Sequence, residues 1–198
     1  MGELGTHTVR VANTSSCTNG ETSETACGFV VEFADILSKQ SMNSTSTNVG
    51  GWPASELRTY VSGTVYNSLP SELQNVIAET KVVSSHGSTS GEVNFTSSDK
   101  LYLLSTKEVW GKDSTSNVIS TDKAEAETRQ LDYYKNKGVT TSNYSEAIKQ
   151  YDGSDYYWWL RSAVSYNRNT FFSVHSNGVW YSISASYAYG ISPAFRIA

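Results

Sequence analysis

A hairpin signal near the C-terminus limits the fold more than any other feature of this sequence. Asn177 and Gly178 lie between an aromatic run at residues 171–175 and the apolar pair 179–180. Asn-Gly between two apolar runs is typical of the tight turn that joins two antiparallel strands. A second aromatic run, residues 156–162, comes shortly before this pair. We therefore predict strands around 156–162 and 171–175 and a chain reversal at Asn177-Gly178.

Helical patterns in the first half of the chain indicate that the fold is not built from strands alone. Pro53 suits the first turn of a helix over residues 53–61, where Leu57 and Val61 recur at helical spacing. A second short helix is expected after Pro70. The sequence therefore predicts the α+β class, with short antiparallel strands, two or more short helices and long irregular loops. Further strands are predicted at residues 7–11, 82–83, 101–104 and 190–197, a further helix at 124–134, and loops at 38–51 and 84–98.

The charge pattern argues against two broad classes of partner. The formal net charge is −4 and no run of Lys or Arg occurs, which disfavours nucleic acid and anionic membranes. No apolar stretch has the length of a membrane-spanning helix, so we expect no membrane insertion. The absence of internal repeats and linker-like segments favours one domain over residues 1–198. Because the first residues lack the features of a signal peptide, we expect the localisation signal to lie in a longer parent protein.

Two cysteines, Cys17 and Cys27, flank a polar segment near the N-terminus. A disulfide between them would close this loop in an oxidising compartment, whereas two independent thiols are the alternative. The composition of the loop is that of a protein surface, which favours the disulfide.

The sequence contains no recognisable catalytic or metal-binding pattern. None of the three histidines has a second histidine or a carboxylate at a metal-ligand spacing such as His-Glu-x-x-His. The acidic residues are scattered and form no pair suited to glycoside hydrolysis. We therefore predict that the protein is not an enzyme and that it uses neither a metal nor a cofactor. An active site assembled from residues distant in sequence is the alternative.

Residues 164–190 have the composition of a recognition surface. Tyr, Ser and Asn dominate, with one Arg and one Trp, and these residue types give antibody contact loops their large contact area and adaptable hydrogen bonds. The alternative is a pair of aromatic core strands joined by polar turns. Lys, Glu, Gln and Met are absent from the segment but present elsewhere in the chain. The residue types found here at the varied positions can be reached from the Asn codon AAY by changing adenines, and the four absent types cannot.

Short framework phrases surround this segment. They are Trp-Leu-Arg-Ser at 159–162, Gly178 and Trp180, and Gly-Ile-Ser-Pro-Ala-Phe-Arg at 190–196. With these phrases, the C-terminal stretch resembles the variable region of the diversified proteins made by diversity-generating retroelements, in which adenine-directed mutagenesis scatters substitutions over an Asn-rich template. A bacterial and phage-associated branch, common in gut bacteria, is similar at three further phrases: Gly-Trp-Pro at 51–53, Asp-Lys-Leu-Tyr-Leu-Leu-Ser at 99–105 and Arg-Gln-Leu-Asp-Tyr-Tyr at 129–134.

The resemblance implies a C-type-lectin-like fold, also described as formylglycine-generating-enzyme-like, with a variable region over about residues 159–196. It implies an unknown protein or surface ligand as the partner. It also implies a location outside or on the surface of a bacterial cell, or on a phage particle. Trp159, Leu160, Trp180, Ala194 and Phe195 are expected to be framework. The implied ligand-binding residues are Val164, Tyr166, Asn167, Arg168, Asn169, His175, Val179, Tyr181, Ile183, Ser184, Ser186, Tyr187 and Tyr189.

Two other functions use the fold that the resemblance implies. Formylglycine-generating enzymes use a pair of cysteines late in the chain, but no cysteine follows Cys27 here. Calcium-dependent sugar-binding lectins carry motifs of the Glu-Pro-Asn, Gln-Pro-Asp or Trp-Asn-Asp type, and the sequence contains none of them. Since a fold alone does not determine function, an enzyme and a calcium-dependent lectin stay as the alternatives to a diversified binding surface.

Overall fold

Short strands and short helices alternate along the chain, and the predicted α+β class is confirmed. The computed structural model describes residues 4–88, 91–111 and 119–198. Its strands are β1 (Val9–Asn13), β2 (Val30–Phe33), β3 (Ser38–Gln40), β4 (Ile77–Ala78), β5 (Thr80–Ser84), β6 (Phe95–Asp99), β7 (Lys149–Tyr151), β8 (Ser154–Tyr156), β9 (Trp158–Ala163), β10 (Thr170–Val174), β11 (Trp180–Ser184), β12 (Tyr189–Ile191) and β13 (Ala194–Ile197). Its α-helices are α1 (Gly51–Ala54), α2 (Glu56–Tyr60), α3 (Tyr66–Ser68), α4 (Ser71–Val76), α5 (Thr106–Trp110) and α6 (Asp132–Asn136), and a π-helical turn at Val61–Val65 joins α2 to α3.

Among the described residues, the strands assemble into two main sheets and two separate hairpins. One sheet has the order β1-β2-β13-β4, and the other has the order β11-β10-β9-β12-β3. The hairpins are β5-β6 and β7-β8. Within the second sheet, β9 and β12 run parallel, whereas its other neighbouring strands are antiparallel. We call this second sheet the C-terminal sheet, because four of its five strands come from the last part of the chain.

The strands predicted around the hairpin signal are confirmed. The run at 156–162 forms most of β9, and the run at 171–175 forms β10. Strand β11 follows the turn at Asn177-Gly178 and pairs antiparallel with β10. Gly178 has a φ of 90°, a left-handed backbone conformation that glycine adopts without steric cost. The helix predicted after Pro70 forms as α4, whereas the single helix predicted over 53–61 is divided at the extended residue Ser55 into α1, which begins at Gly51, and α2.

The buried segment 101–104 was predicted to be a strand, and this prediction is wrong. All four side chains are fully buried, but the only ladder contact in the segment is an isolated antiparallel bridge between Tyr102 and Ala194. An apolar run of this length predicts that the segment is buried, but its periodicity does not distinguish a strand from another buried segment.

Three other predicted segments also differ from the structure. The predicted loops at 38–51 and 84–98 contain strands β3 and most of β6, respectively. β3 is polar and β6 is polar apart from Phe95, and β3 is an edge strand, so its exposed side needs no apolar residue. The predicted helix at 124–134 is replaced by a 3-10 turn at Glu125–Glu127 and by α6, which begins later. Leu131 and Tyr134 are nevertheless buried as expected.

The predicted single strand at 190–197 is divided between the two main sheets. β12 pairs with β3 and β9, whereas β13 pairs with β2 and β4. Pro193 lies between them and cannot donate a ladder hydrogen bond, while its carbonyl accepts one from the Phe33 N–H at 3.0 Å. The end of the chain therefore fastens the C-terminal sheet to the other main sheet.

A buried ion pair fixes β9 within the core. The guanidinium group of Arg161 donates to both carboxylate oxygens of Glu108, at 2.6 and 2.7 Å, and both side chains are almost completely buried. Glu108 also accepts from the Ser105 N–H in the capping box that begins α5. Around this pair, the buried apolar residues form one cluster that includes Trp52, Trp110 and Trp159. The framework beneath the candidate site is therefore held by both packing and specific hydrogen bonds.

A disulfide joins Cys17 to Cys27. The base of the same loop is closed by Asn13, whose Nδ2 donates to the carbonyl oxygens of Ser15 and Gly28, both at 2.8 Å. The side chain of Asn13 is 1% exposed, so these hydrogen bonds form away from competing water. The N-terminal loop is thus attached to β1 by covalent and hydrogen bonds.

Candidate ligand-binding surface

Three connections of the C-terminal sheet carry most of the candidate residues. They are the β9–β10 loop at 164–169, the β10–β11 turn at 175–179 and the β11–β12 loop at 185–188. The two loops touch, since the Ala185 N–H donates to the Asn169 carbonyl at 2.8 Å. We call the exposed side chains of these connections, of β11 and of Tyr189 the C-terminal face.

Most of the predicted ligand-binding residues reach solvent. Among the aromatic ones, Tyr166 is 65%, Tyr187 56% and Tyr181 39% exposed. The exposed members are Tyr166, Asn167, Arg168, Asn169, Tyr181, Ser186 and Tyr187, and the half-buried members are His175, Val179, Ile183, Ser184 and Tyr189.

Val164 does not fit the predicted contact role. Its side chain is completely buried and belongs to the core cluster, and its N–H donates to the Thr170 carbonyl at 3.2 Å. It directly follows β9, whose side chains are all buried, so it continues the packed part of the chain. Composition identified the segment but did not show on which side of the backbone each residue points.

The expected framework residues lie beneath this face. Trp159, Leu160, Ala194 and Phe195 are buried, with Phe195 the most exposed of them at 1%. Trp180 is half-buried. Tyr181 lies opposite Ser173 in the β10–β11 ladder, and alternate residues along a strand point to opposite sides of the sheet, so Tyr181 and Trp180 have opposite orientations.

Five aromatic rings form a cluster that extends from the C-terminal face through the half-buried Tyr157 to the buried Trp159. Tyr157 stacks on Tyr189 with centroids 4.8 Å apart, and Tyr189 in turn lies 5.1 Å from Trp159. Tyr181 meets Tyr157 and His175 edge to face, with centroids 6.0 and 5.8 Å apart. Tyr157 was not among the predicted contacts, because the run at 156–162 gave only a strand signal. Its position directly before a buried strand is the sequence signal that could have identified it as a surface aromatic.

Hydrogen bonds define the tautomer of His175. Its Nδ1 accepts the main-chain N–H of Asn177 at 3.2 Å, so the proton of the neutral ring lies on Nε2. Nε2 is 2.6 Å from the Tyr157 hydroxyl oxygen and donates to it. The hydroxyl proton of Tyr157 is therefore free to donate elsewhere. His175 supports the β10–β11 turn and orients Tyr157, which gives it a clear structural role on this face.

A separate buried lysine, Lys149, lies in the core and uses all of its donors. The Lys149 ammonium group donates to Glu32 Oε2, the Phe33 carbonyl and the Ser192 hydroxyl, each at 2.7 Å. Burial lowers the pKa of Lys149 to about 8, although the neighbouring Glu32 carboxylate opposes this shift. Because all three N–H donors are used and the group is buried, Lys149 has a structural role.

The C-terminal face offers aromatic surface and neutral hydrogen-bonding groups. Between residues 164 and 190 the only Lys, Arg, Asp or Glu is Arg168, which is exposed. Within the described ranges, no group of three or more His, Cys, Asp and Glu side chains is arranged to hold a metal ion. In the same part of the chain, no helix is long and apolar enough to cross a membrane.

The fold and the face define a class of protein: an α+β framework whose C-terminal sheet carries an exposed surface rich in Tyr, Ser and Asn. The chain belongs to the family described as "Domain of unknown function (DUF6273)", whose model matches residues 29–198. The match therefore includes the whole C-terminal sheet and begins just after Cys27. No curated protein and no solved structure matches the chain.

Proposed function

We propose that this chain is a ligand-binding protein of the receptor or adhesin kind, with a diversified surface on a C-type-lectin-like scaffold and no enzymatic activity. In this proposal, adenine-directed mutagenesis changes the side chains of the C-terminal face and spares the framework. The observation that carries it is the separation of the two sets of residues. Tyr166, Arg168 and Tyr187 are exposed, whereas Trp159 and Phe195 are buried.

The chemistry of the face suits noncovalent recognition of a protein or another surface ligand. Tyr provides a large amphipathic contact area and has few rotatable bonds to immobilise, and Ser and Asn provide adaptable hydrogen bonds. Tyr and Arg are also enriched among residues that dominate binding energy. Arg168 and the exposed Tyr side chains are therefore the proposed main contacts, with Ile183 adding apolar area and no cofactor required.

The proposed location is the outside of a bacterial cell or a phage particle. The Cys17–Cys27 disulfide supports this location, because disulfides persist in oxidising environments and are rare in the cytosol. The C-terminal face carries few charged residues, so we propose that it recognises its partner by shape and hydrogen bonding.

A display library tests the proposed function. Positions Tyr166, Arg168, Tyr181, Ile183, Tyr187 and Tyr189 would be varied together with the residues reachable from AAY codons. We expect most members to fold, since substitutions at surface sites usually change stability by less than about 0.5 kcal/mol, with somewhat larger effects at half-buried Ile183 and Tyr189. Folding would be measured as protease-resistant display on yeast, and binding by selection against lysozyme and a second, unrelated protein.

A matched library at buried positions is the control. The same codon mixture at Trp159, Leu160, Ala194 and Phe195 should abolish folding in most members, because truncation of a buried aromatic costs about 3–5 kcal/mol. Failure of most surface-library members to fold, or folding without enrichment against either target, would contradict the proposal. In the flanking DNA, a near-copy of codons 159–196 that differs only at adenines, beside a reverse transcriptase gene, would support the diversification mechanism.

A further inference from the structure

One buried side chain supports the β9–β10 loop from outside the C-terminal segment. Asn48 is 2% exposed, and its Nδ2 lies 3.1, 2.8 and 2.9 Å from the carbonyl oxygens of Val164, Asn167 and Thr170. The two protons of the amide are thus shared among three acceptors. The main-chain N–H of Asn48 donates to a fourth carbonyl, that of Arg168, at 2.7 Å. Four carbonyl groups of one loop region therefore converge on a single residue.

All of these hydrogen bonds use the main chain of the loop. Every residue type carries a carbonyl oxygen, so a change of side chain at Tyr166 or Arg168 removes none of them. The adjoining loop is attached in the same manner, because the Asn43 N–H donates to the Ala185 carbonyl at 3.0 Å and the Ala185 N–H donates to Asn169. These attachments of the loop to the rest of the molecule therefore do not involve its exposed side chains, although within the loop the Asn169 N–H also donates to the Asn167 side-chain oxygen at 2.9 Å.

The surroundings of Asn48 leave room for its amide group and for little else. Gly87 has a φ of +70°, and a Cβ placed on it would lie 3.2 Å from both amide heteroatoms of Asn48. A side chain at that position would crowd the amide against the β9–β10 loop. Asn48 itself lies between β3 and α1, far in sequence from the segment proposed to vary.

We propose that Asn48 is a positioning residue for the binding face. It holds the β9–β10 loop in one conformation through hydrogen bonds that are independent of the loop's side chains, so those side chains can differ while the loop keeps its shape. The link to binding rests on the proposed function, but the positioning itself does not. A loop that is already ordered loses less conformational entropy when a ligand binds.

Hydrogen exchange of assigned amides tests the positioning without any ligand. The variants are Asn48→Ala, which removes the amide, and Asn48→Asp, which keeps its size but replaces the donor with an acceptor that faces carbonyl oxygens. Both should speed exchange at the Val164 and Ala185 amides by about tenfold or more through local opening. Unchanged exchange in Asn48→Asp would show that packing alone orders the loop, and would overturn the proposal.

The Asn13→Ala variant is the matched control. Asn13 is an equally buried asparagine whose Nδ2 donates to two carbonyls of the N-terminal loop. Its removal should speed exchange at the nearby Gly28 amide, which donates to the Ser15 carbonyl at 2.8 Å, and leave Ala185 unchanged. If Asn13→Ala affects Ala185 as strongly as Asn48→Ala does, the effect is general destabilisation and the proposal fails.

A second variant and a binding measurement complete the test. If the Asn48 variants do not fold, Gly87→Ala replaces them, because it keeps the Asn48 amide group but crowds it. This variant should speed hydrogen exchange at the Val164 and Ala185 amides and leave exchange at the Gly28 amide unchanged. Unchanged exchange at Val164 and Ala185 would overturn the proposal. In lysozyme-binding clones from the surface library, the folded Asn48 variant should raise Kd by about tenfold or more, and Asn13→Ala should not. Equal Kd values would overturn the link to binding, whereas an absence of binders would count against the proposed function and leave the exchange result intact.

Discussion

Tyr189 shows how the residues of the aromatic cluster alter one another's chemistry. Burial raises the pKa of its hydroxyl group to about 12, and the neighbouring phenols of Tyr157 and Tyr181 contribute in the same direction. Tyr157 stacks on Tyr189, and Tyr181 in turn contacts Tyr157. The Tyr189 hydroxyl group is therefore neutral over a wide pH range.

This shift gives a prediction about alkaline pH. Between about pH 10 and pH 12, the folded chain keeps the Tyr189 proton that the unfolded chain has lost. The contribution of Tyr189 to the free energy of unfolding is therefore complete below about pH 10 and declines as the pH rises to about 12. We expect the Cζ resonance of Tyr189, assigned by its absence in Tyr189→Phe, to titrate near pH 12 by NMR. A midpoint at or below about pH 10, the ordinary value, would contradict the predicted environment.

At the residue scale, the sequence predicted the candidate segment better than the orientation of each side chain. Composition alone distinguishes residues 164–190 from the rest of the chain, but it does not show which of their side chains are exposed. Orientation depends on the packing of the folded chain, which places Val164 in the core, and on contacts distant in sequence, which bring Tyr157 to His175. Asn48 carries no local sequence signal, because its partners are carbonyl groups more than a hundred residues away.

At the element scale, turn chemistry was the most informative part of the sequence. Asn177-Gly178 predicted the β10–β11 hairpin, and Asp152-Gly153 joins β7 to β8 as a two-residue turn with positive φ at both residues. The second hairpin was missed because the stretch around it is mostly polar, so the turn signal lacked apolar flanks. Polar edge strands such as β3 form because a neighbouring strand is available to pair with them, which local composition does not reveal.

The two turn glycines give a matched prediction at this scale. Gly178 and Gly153 both have positive φ, but a Cβ on Gly178 would overlap the Tyr144 carbonyl oxygen, whereas a Cβ on Gly153 meets no atom within 4 Å. Gly153→Ala should cost about 1–2 kcal/mol for the left-handed backbone. Gly178→Ala should cost roughly 1–3 kcal/mol more, the usual range for overpacking. Urea unfolding of both variants measures the difference, and equal free energies of unfolding would contradict the predicted contact.

At the scale of the whole molecule, segments far apart in sequence meet at the core beneath the C-terminal face. The α+β class was predictable, because it depends on the alternation of helical and strand patterns. The sheet order was not, because it requires the chain to cross between the sheets around Pro193 and to place β3 beside β12. The resulting framework is held by contacts that the exposed residues do not make, which is the physical basis for the proposed separation of a stable scaffold from a variable surface.

Substitution of one buried and one exposed arginine compares the stability contributions of the scaffold and of the surface. Arg161 is buried, and besides its two bonds to Glu108 it donates to the Leu103 carbonyl at 2.8 Å and to Thr25 Oγ1 at 3.1 Å. Arg161→Met would leave the Glu108 carboxylate buried without its cation, so we expect a loss of about 3–5 kcal/mol. Arg168→Met, at an exposed position, should change stability by less than about 0.5 kcal/mol.

Urea unfolding of the two methionine variants, each with the same change in side-chain type, measures this contrast. Glu108→Gln in the Arg161→Met background should recover part of the lost stability, because a neutral amide costs less to bury unpaired than a carboxylate does. No recovery would show that the loss comes from packing around Arg161 and not from the unpaired charge. Comparable losses in Arg161→Met and Arg168→Met would instead mean that the β9–β10 loop belongs to the stabilising framework, and a freely variable surface at Arg168 would then be untenable.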